Sequence, residues 1–298
     1  MRTLKGLFLL ARPVNAVICG LSVFCGAILG GDPLARAAGF LPFYSFGSGT
    51  NIQSWQFRTL SAMLSAALIL AAGNVFNDVL DVRTDSINMP HRPIPSGMVS
   101  MPAAVMFAVI LAVMGLALSL PLGTCGIAVA VLAVVTLAAY DIRLKGVPLA
   151  GNTAVAGLAG LAFIYGGIAG HGVGKSALPA VFALLFHLGR ELIKDAADID
   201  GDRAAGIRTA ATAWGAGPSC RLAAAALMAL AVVAVGPFTF GYFGFAYFAI
   251  IAVGVWPVLI YSSVSAVRNP SEQNLRRIST ILKLDMPVGI LAVIVGYL

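Results

Sequence analysis

Asn77, Asp81 and Asp85 are spaced i, i+4, i+8 within N-V-F-N-D-V-L-D-V-R-T-D-S-I-N-M-P-H-R-P-I-P-S-G, residues 74–97. At about 100° per residue all three fall on one face of a helix that is leaving an apolar environment. Three oxygen donors on one stripe repel each other unless a cation joins them. Hard oxygens with no Cys or His beside them suit Mg²⁺. A second stripe follows in H-L-G-R-E-L-I-K-D-A-A-D-I-D-G-D-R, residues 187–203, where Asp195, Asp198 and Asp202 are spaced i, i+3, i+7. Six such ligands brought together without counter-charge are strongly unfavourable, since each close like-charge pair costs on the order of a few kcal/mol. Two divalent cations bridging an anionic ligand remove that cost, and a diphosphate is the natural anion.

Basic residues stand near both stripes. Arg83 lies two residues after Asp81, and Arg92 follows the first stripe. Tyr140 and Lys145 end an apolar run, Arg190 and Lys194 share a helix face, and Arg12 opens A-R-P-V-N, which closes on Asn15. Such side chains can hold the outer oxygens of a diphosphate, and each can equally act as a topology determinant. His91 reads as a solvated loop residue and His187 as a weak signal.

The elements that must position these groups are membrane helices. Of the 298 residues 59% are apolar and 10% charged, where soluble domains carry about 25% charged. A mean hydropathy of +0.94, with runs of about 20 apolar residues, predicts an all-α, polytopic membrane bundle. Nine spans are expected, near 13–31, 58–80, 101–121, 123–140, 149–170, 177–195, 220–236, 239–262 and 279–298. They form one domain over 1–298, around a central cavity open to the cytoplasmic side. Abundant Gly and Ala let the helices approach closely. Most Lys and Arg fall on one side, leaving Arg36, Arg58 and Lys175 on the other, so the crowded side and the N-terminus are cytoplasmic, in the plasma membrane. Of the twelve acids only Asp32 is expected outside that face. The net charge of +7 comes without a basic run interleaved with aromatics, which excludes nucleic acid as the partner. Cys19, Cys25, Cys125 and Cys220 show no paired spacing and read as small core residues. No signal peptide is evident. Asp32 to Trp55, with Phe40, Phe43, Tyr44 and Phe46, reads as an interfacial segment or an outer lid.

Both motifs, N-D-V-L-D-V-R-T-D with I-N-M-P-H-R-P-I-P-S-G and K-D-A-A-D-I-D-G-D-R, resemble the two signatures of the UbiA superfamily of intramembrane prenyltransferases. The likeness covers nearly the whole chain, since that family's plan also has nine spans with motifs after spans two and six. It implies that Asn77, Asp81, Asp85, Asp195, Asp198 and Asp202 bind two Mg²⁺ and through them an isoprenyl diphosphate donor. Asp81, Asp198, Asp202, Tyr140 and Lys145 would be the catalytic groups, with Arg12, Asn15, Arg83, Arg92, Lys145, Arg190 and Lys194 on the substrates. Asp78 belongs to the first motif but points off its stripe. The stretches A-R-P-V-N and L-K-L-D-M-P-V-G-I-L are most similar to the ether-lipid branch, which transfers geranylgeranyl to geranylgeranylglyceryl phosphate. Chlorophyllide or an aromatic quinone precursor is the alternative acceptor. Membrane lipids are expected around the chain, and no obligate protein partner. An ion-coupled secondary transporter is the rival of another class, but transporters place their acids near the bilayer midplane, between broken helices.

Overall fold

With most helix faces apolar, lipid is the solvent these elements fit, and a helix is the span that satisfies its own backbone there. The computed structural model describes residues 2–31 and 55–297, and among them there is helix, turn and loop but no strand. The expected interfacial segment of Asp32–Trp55 lies outside the described residues, Trp55 excepted. The chain forms two compact units, residues 1–138 with 161–177, and residues 139–160 with 178–298.

In the first unit, α1 (Arg2–Leu10) and α2 (Pro13–Gly30) meet at Arg12, whose backbone is left-handed. Two long stretches follow, α3 (Trp55–Leu80) with its short extension α4 (Val82–Asn88), then α5 (Met101–Ala117) and α6 (Gly123–Ile142). Helix α3 packs along both α2 and α5. One apolar cluster joins Leu10, Val75, Val99 and Leu111; it anchors the loop after the first acidic motif through Ile94 and Val99. Another joins Val23, Ile69, Leu122 and Tyr165, the last from α7 (Ala150–Ala169). Small residues make this possible. A Cβ on Gly26 would fall on the carbonyl of Phe163, and one on Gly166 on that of Val23, so α2 and the second half of α7 touch backbone to backbone. A polar contact inside the unit adds to this: Ser65 Oγ donates to Gly115 O at 2.7 Å and lies 2.9 Å from Tyr165 Oη. At the start of α3, Arg58 donates to the carbonyls of Pro121, Ile168 and Ala169, capping helix ends that would otherwise lack partners.

The second unit holds the first half of α7, then α8 (Ala177–Ala197), α9 (Ile199–Ala204), α10 (Ala210–Trp214) and α11 (Ala216–Val233). It continues with α12 (Gly236–Thr239), α13 (Phe245–Ile250), a π-helical turn at Ile251–Val255, α14 (Trp256–Arg268) and α15 (Glu272–Tyr297). Helices α11 and α14 pack together, tied where Trp256 Nε1 donates to Ala231 O at 3.1 Å. The turn between α14 and α15 is closed by Asn274, which donates to the carbonyls of Ser265 and Asn269.

Among the described residues seven helical stretches are long and apolar enough to cross a membrane, where nine spans are expected. The difference has two causes. Met101–Ile142 is one apolar run of 42 residues, which as a continuous helix would measure about 63 Å, twice the hydrocarbon thickness. A 3₁₀ turn at Leu120–Leu122 and the left-handed Gly123 divide it into α5 and α6. Helix α8 has 21 residues but carries Arg190, Glu191, Lys194 and Asp195 in its last turns. Large apolar side chains such as Val109, Val113 and Val253 stand exposed, as lipid-facing groups do. One acid departs from its expected place. Asp285 lies halfway along α15, buried, two residues before the interior Pro287.

Gly166→Ala should lower the stability of the detergent-solubilised protein by about 3 kcal/mol through overpacking against α2. Gly157→Ala on the same helix, where a Cβ meets nothing within 4 Å, should leave thermal unfolding unchanged or raise it slightly.

Candidate active site

The first motif straddles a helix break. Helix α3 ends at Leu80, α4 begins at Val82, and Asp81 between them has φ −83° and ψ 3°. This is the bridge region, adopted here without breaking the hydrogen-bond ladder. Asp81 N–H donates to Asn77 O at 2.9 Å and Asp85 N–H to Asp81 O at 2.8 Å, so the three predicted ligands rise one turn at a time. Arg12 Nη2 donates to Asp78 Oδ1 at 2.6 Å, and Arg92 Nη1 to the same oxygen at 3.4 Å. Arg92 Nη1 also donates to Asp85 Oδ2 at 2.6 Å. Both carboxylates are buried, which is tolerable only because each has a cation against it. Arg12 Nη1 reaches Asn74 Oδ1 at 3.5 Å, while the buried Asn74 Nδ2 has no hydrogen-bond partner. Asn15 is in the first turn of α2, its N–H on Arg12 O at 2.9 Å. Arg83 is not brought to this cluster; two residues past Asp81 it falls about 200° round the helix and is exposed.

The second motif repeats the backbone device. Helix α8 ends at Ala197, α9 starts at Ile199, and Asp198 between them has φ −100° and ψ 11°. Asp198 N–H donates to Lys194 O and Asp202 N–H to Asp198 O, both at 2.9 Å. Asp195 accepts from Asn152 Nδ2 at 2.8 Å, and Asp198 from Arg276 Nη2 at 2.6 Å. Arg190 and Lys194 do share a face, as expected, but that face is occupied. Both pair with the buried Glu191, at 3.2 and 2.7 Å, and Arg190 Nε donates to Ser279 O. Tyr140 and the turn Leu144–Gly146 that carries Lys145 are brought to the head of α7. A Cβ on Gly151 would lie 3.2 Å from the Tyr140 ring and 2.9 Å from Leu144 O, so glycine there lets both approach the residue before Asn152.

Among the described residues no three His, Cys, Asp or Glu side chains gather into a ready metal cage. What stands at each motif is a pair of carboxylates one turn apart, flanked by guanidinium groups with N–H donors to spare. Sequence reasoning missed Asn74, Asn152, Glu191 and Arg276. Glu191 had a visible signal, standing one turn before Asp195. Asn152 and Arg276 had none, being 43 and 78 residues from their partners.

Comparison with known proteins agrees with this architecture. Digeranylgeranylglyceryl phosphate synthase of Methanopyrus kandleri is 32% identical over 293 residues, 97% of this chain and 98% of that one. The enzyme of the same name from Natronomonas pharaonis is 39% identical over 211 residues, 70% of this chain and 69% of its own. A solved structure of a digeranylgeranylglyceryl phosphate synthase in membranes matches with TM-score 0.75 and 28% identity, covering 100% of this chain and 99% of the other. A UbiA homolog from Archaeoglobus fulgidus, bound to GPP and Mg²⁺, shares the fold at TM-score 0.61 and 16% identity, over 97% of this chain and 99% of that one. The model of the UbiA prenyltransferase family matches residues 38–284. The chain belongs to the UbiA prenyltransferase family and is a prenyltransferase.

Proposed function

We propose that this chain transfers a geranylgeranyl group from its diphosphate to geranylgeranylglyceryl phosphate, with Mg²⁺ at both acidic motifs. The observation that carries the reading is the recurrence of one device, a carboxylate in the bridge region with a second one turn further on, at Asp81 and Asp85 and again at Asp198 and Asp202. The acceptor is taken from the relatives named for that product.

The donor set fits the metal. Mg²⁺ commonly takes one or two carboxylates and fills its other positions with water and substrate phosphate oxygens, so a full protein cage is not required. Asn77, Asp81 and Asp85 would hold one ion, and Asp198 and Asp202 another. When bound, the metal supplies Lewis-acid neutralisation of the diphosphate. The unpartnered Asn74 Nδ2 fits an anion better than a cation, because a buried N–H donor calls for an oxygen.

The chain's own residues do the rest. Arg12, Arg92 and Lys145 receive charge that builds on the diphosphate as the allylic C1–O bond lengthens. The Tyr140 ring offers a face to the allylic cation; the acceptor hydroxyl attacks C1 as the C1–O bond to the diphosphate breaks, and the departing diphosphate takes the hydroxyl proton. Lipid-facing walls keep water away, without which hydrolysis competes. The chain would cross the plasma membrane nine times, α5, α6 and α8 each counting once. Its N-terminus and both motifs would be cytoplasmic by the positive-inside rule.

Asp81→Ala or Asp198→Ala should abolish transfer at saturating Mg²⁺ while leaving the protein folded and inserted; turnover in both would reject the metal assignment. Labelled geranylgeranyl diphosphate, offered with geranylgeranylglyceryl phosphate, chlorophyllide and aromatic acids in parallel, should label the first, and label elsewhere would replace the acceptor. Gly151→Ala should cut kcat tenfold or more by displacing Tyr140 and the Lys145 turn. An unchanged kcat would remove those two residues from the reaction.

A further inference from the structure

The two motifs share more than their ligand spacing. Aligned on their bridge-region carboxylates, N-D-V-L-D-V-R-T-D and K-D-A-A-D-I-D-G-D place Asp78 and Asp195 in the same register, three residues before Asp81 and Asp198. Each of these two carboxylates accepts from a side chain at the head of the helix that precedes its own. Asp78 takes Arg12 at 2.6 Å, at the start of α2, and Asp195 takes Asn152 at 2.8 Å, at the start of α7. Each of those helices opens on a left-handed residue that is not glycine, Arg12 itself with φ 49° and Leu149 with φ 63°. A non-glycine residue held there stores on the order of 1–3 kcal/mol and persists only where its surroundings fix it. For Arg12 the cost is compounded by the proline that follows.

We infer that Asp78 and Asp195 are positioning residues and not metal ligands. They pin the last turn of α3 and of α8 to the preceding helix and so set where Asp81 and Asp198 stand. This rests on the metal assignment of Asp81, Asp85, Asp198 and Asp202 above, and it takes Asp195 out of the ligand set read from spacing. The oxygen Asp195 presents to Asn152 is tied to an amide N–H, and an asparagine in its place would present the same acceptor. A metal ligand tolerates that exchange poorly, because the amide lacks the charge.

The test compares Asp195→Asn, Asp195→Ala, Asn152→Ala and Asp198→Asn in the full-length protein in detergent or nanodiscs. Asp195→Asn should keep kcat and half-saturating Mg²⁺ within about threefold of the parent, while Asp198→Asn loses activity and Mn²⁺ binding followed by paramagnetic resonance. In EDTA, with no metal to lose, Asp195→Ala and Asn152→Ala should each lower the unfolding temperature, and the double variant no further. Loss of Mn²⁺ binding in Asp195→Asn comparable with that in Asp198→Asn, or additive effects in EDTA, would overturn the inference. Full activity and metal binding in Asp198→Asn would instead count against the metal reading itself, so the two failures are separable. Should Asp195→Ala not fold, Asp195→Asn and Asn152→Ala carry the same decision.

Discussion

A carboxylate on a helix that is emerging from lipid has few ways to remain charged, and most of the polar architecture of this chain follows from that. Asp78, Asp85 and Glu191 are buried, and each has a guanidinium or ammonium nitrogen within 2.7 Å. Taking such a charge out of water costs several kcal/mol, which the partner offsets only when it sits in good hydrogen-bonding geometry. Arginine suits the task because its charge does not titrate and one guanidinium can serve two acceptors, as Arg92 does for Asp78 and Asp85. For Asp78 and Asp85 the partner comes from another element, Arg12 or Arg92, whereas Glu191 draws Arg190 and Lys194 from its own helix. This is why the break between α1 and α2 sits where it does: it delivers Arg12 to Asp78 at the price of a strained backbone at residue 12.

The apolar packing serves the same end. Glycine contacts between α2 and α7, and Ser65 bound to Gly115 and Tyr165, hold the helices of the first unit too closely to slide past one another. In the second unit Gly160 against Ala180 and Gly189 against Leu227 do likewise. Rigid neighbours matter because a carboxylate pair one turn apart can serve a cation only if its supporting helices do not drift. Ile94 and Val99, buried beside Leu10, extend that rigidity to the loop carrying Arg92.

The spacing of both stripes was legible in the sequence because helical periodicity alone decides it. The ladder from Asn77 to Asp85 keeps that periodicity through the break at Asp81. The breaks themselves were not legible: neither motif contains Gly or Pro before its bridge-region aspartate, so no local signal marks the kink. Partners were the other blind spot. Arg190 and Lys194 looked like substrate contacts because their face was visible, whereas the residue occupying that face, Glu191, was read past. The count of nine spans came from windows of hydropathy, which divide 101–121 from 123–140 close to the turn at Leu120–Leu122 and which treat α8 as apolar although its last turns are charged. Asp285 falls within the expected span 279–298, and because α15 begins earlier, at Glu272, it stands at mid-length of the helix.

The pairing of Asp85 with Arg92 and Asp198 with Arg276 bears on how such motifs exist before substrate arrives. Two carboxylates one turn apart on a helix destabilise it, and the closer they are held for a cation the greater the repulsion. A guanidinium at 2.6 Å from one member of each pair cancels much of that repulsion. The Arg92 and Arg276 side chains keep partial exposure, so neither is locked in place by burial. Were a dication held there, Asp81 with Asp85 and Asp198 with Asp202 would be its ligands, and Arg92 and Arg276 would be left with N–H donors for the oxygens of an anion.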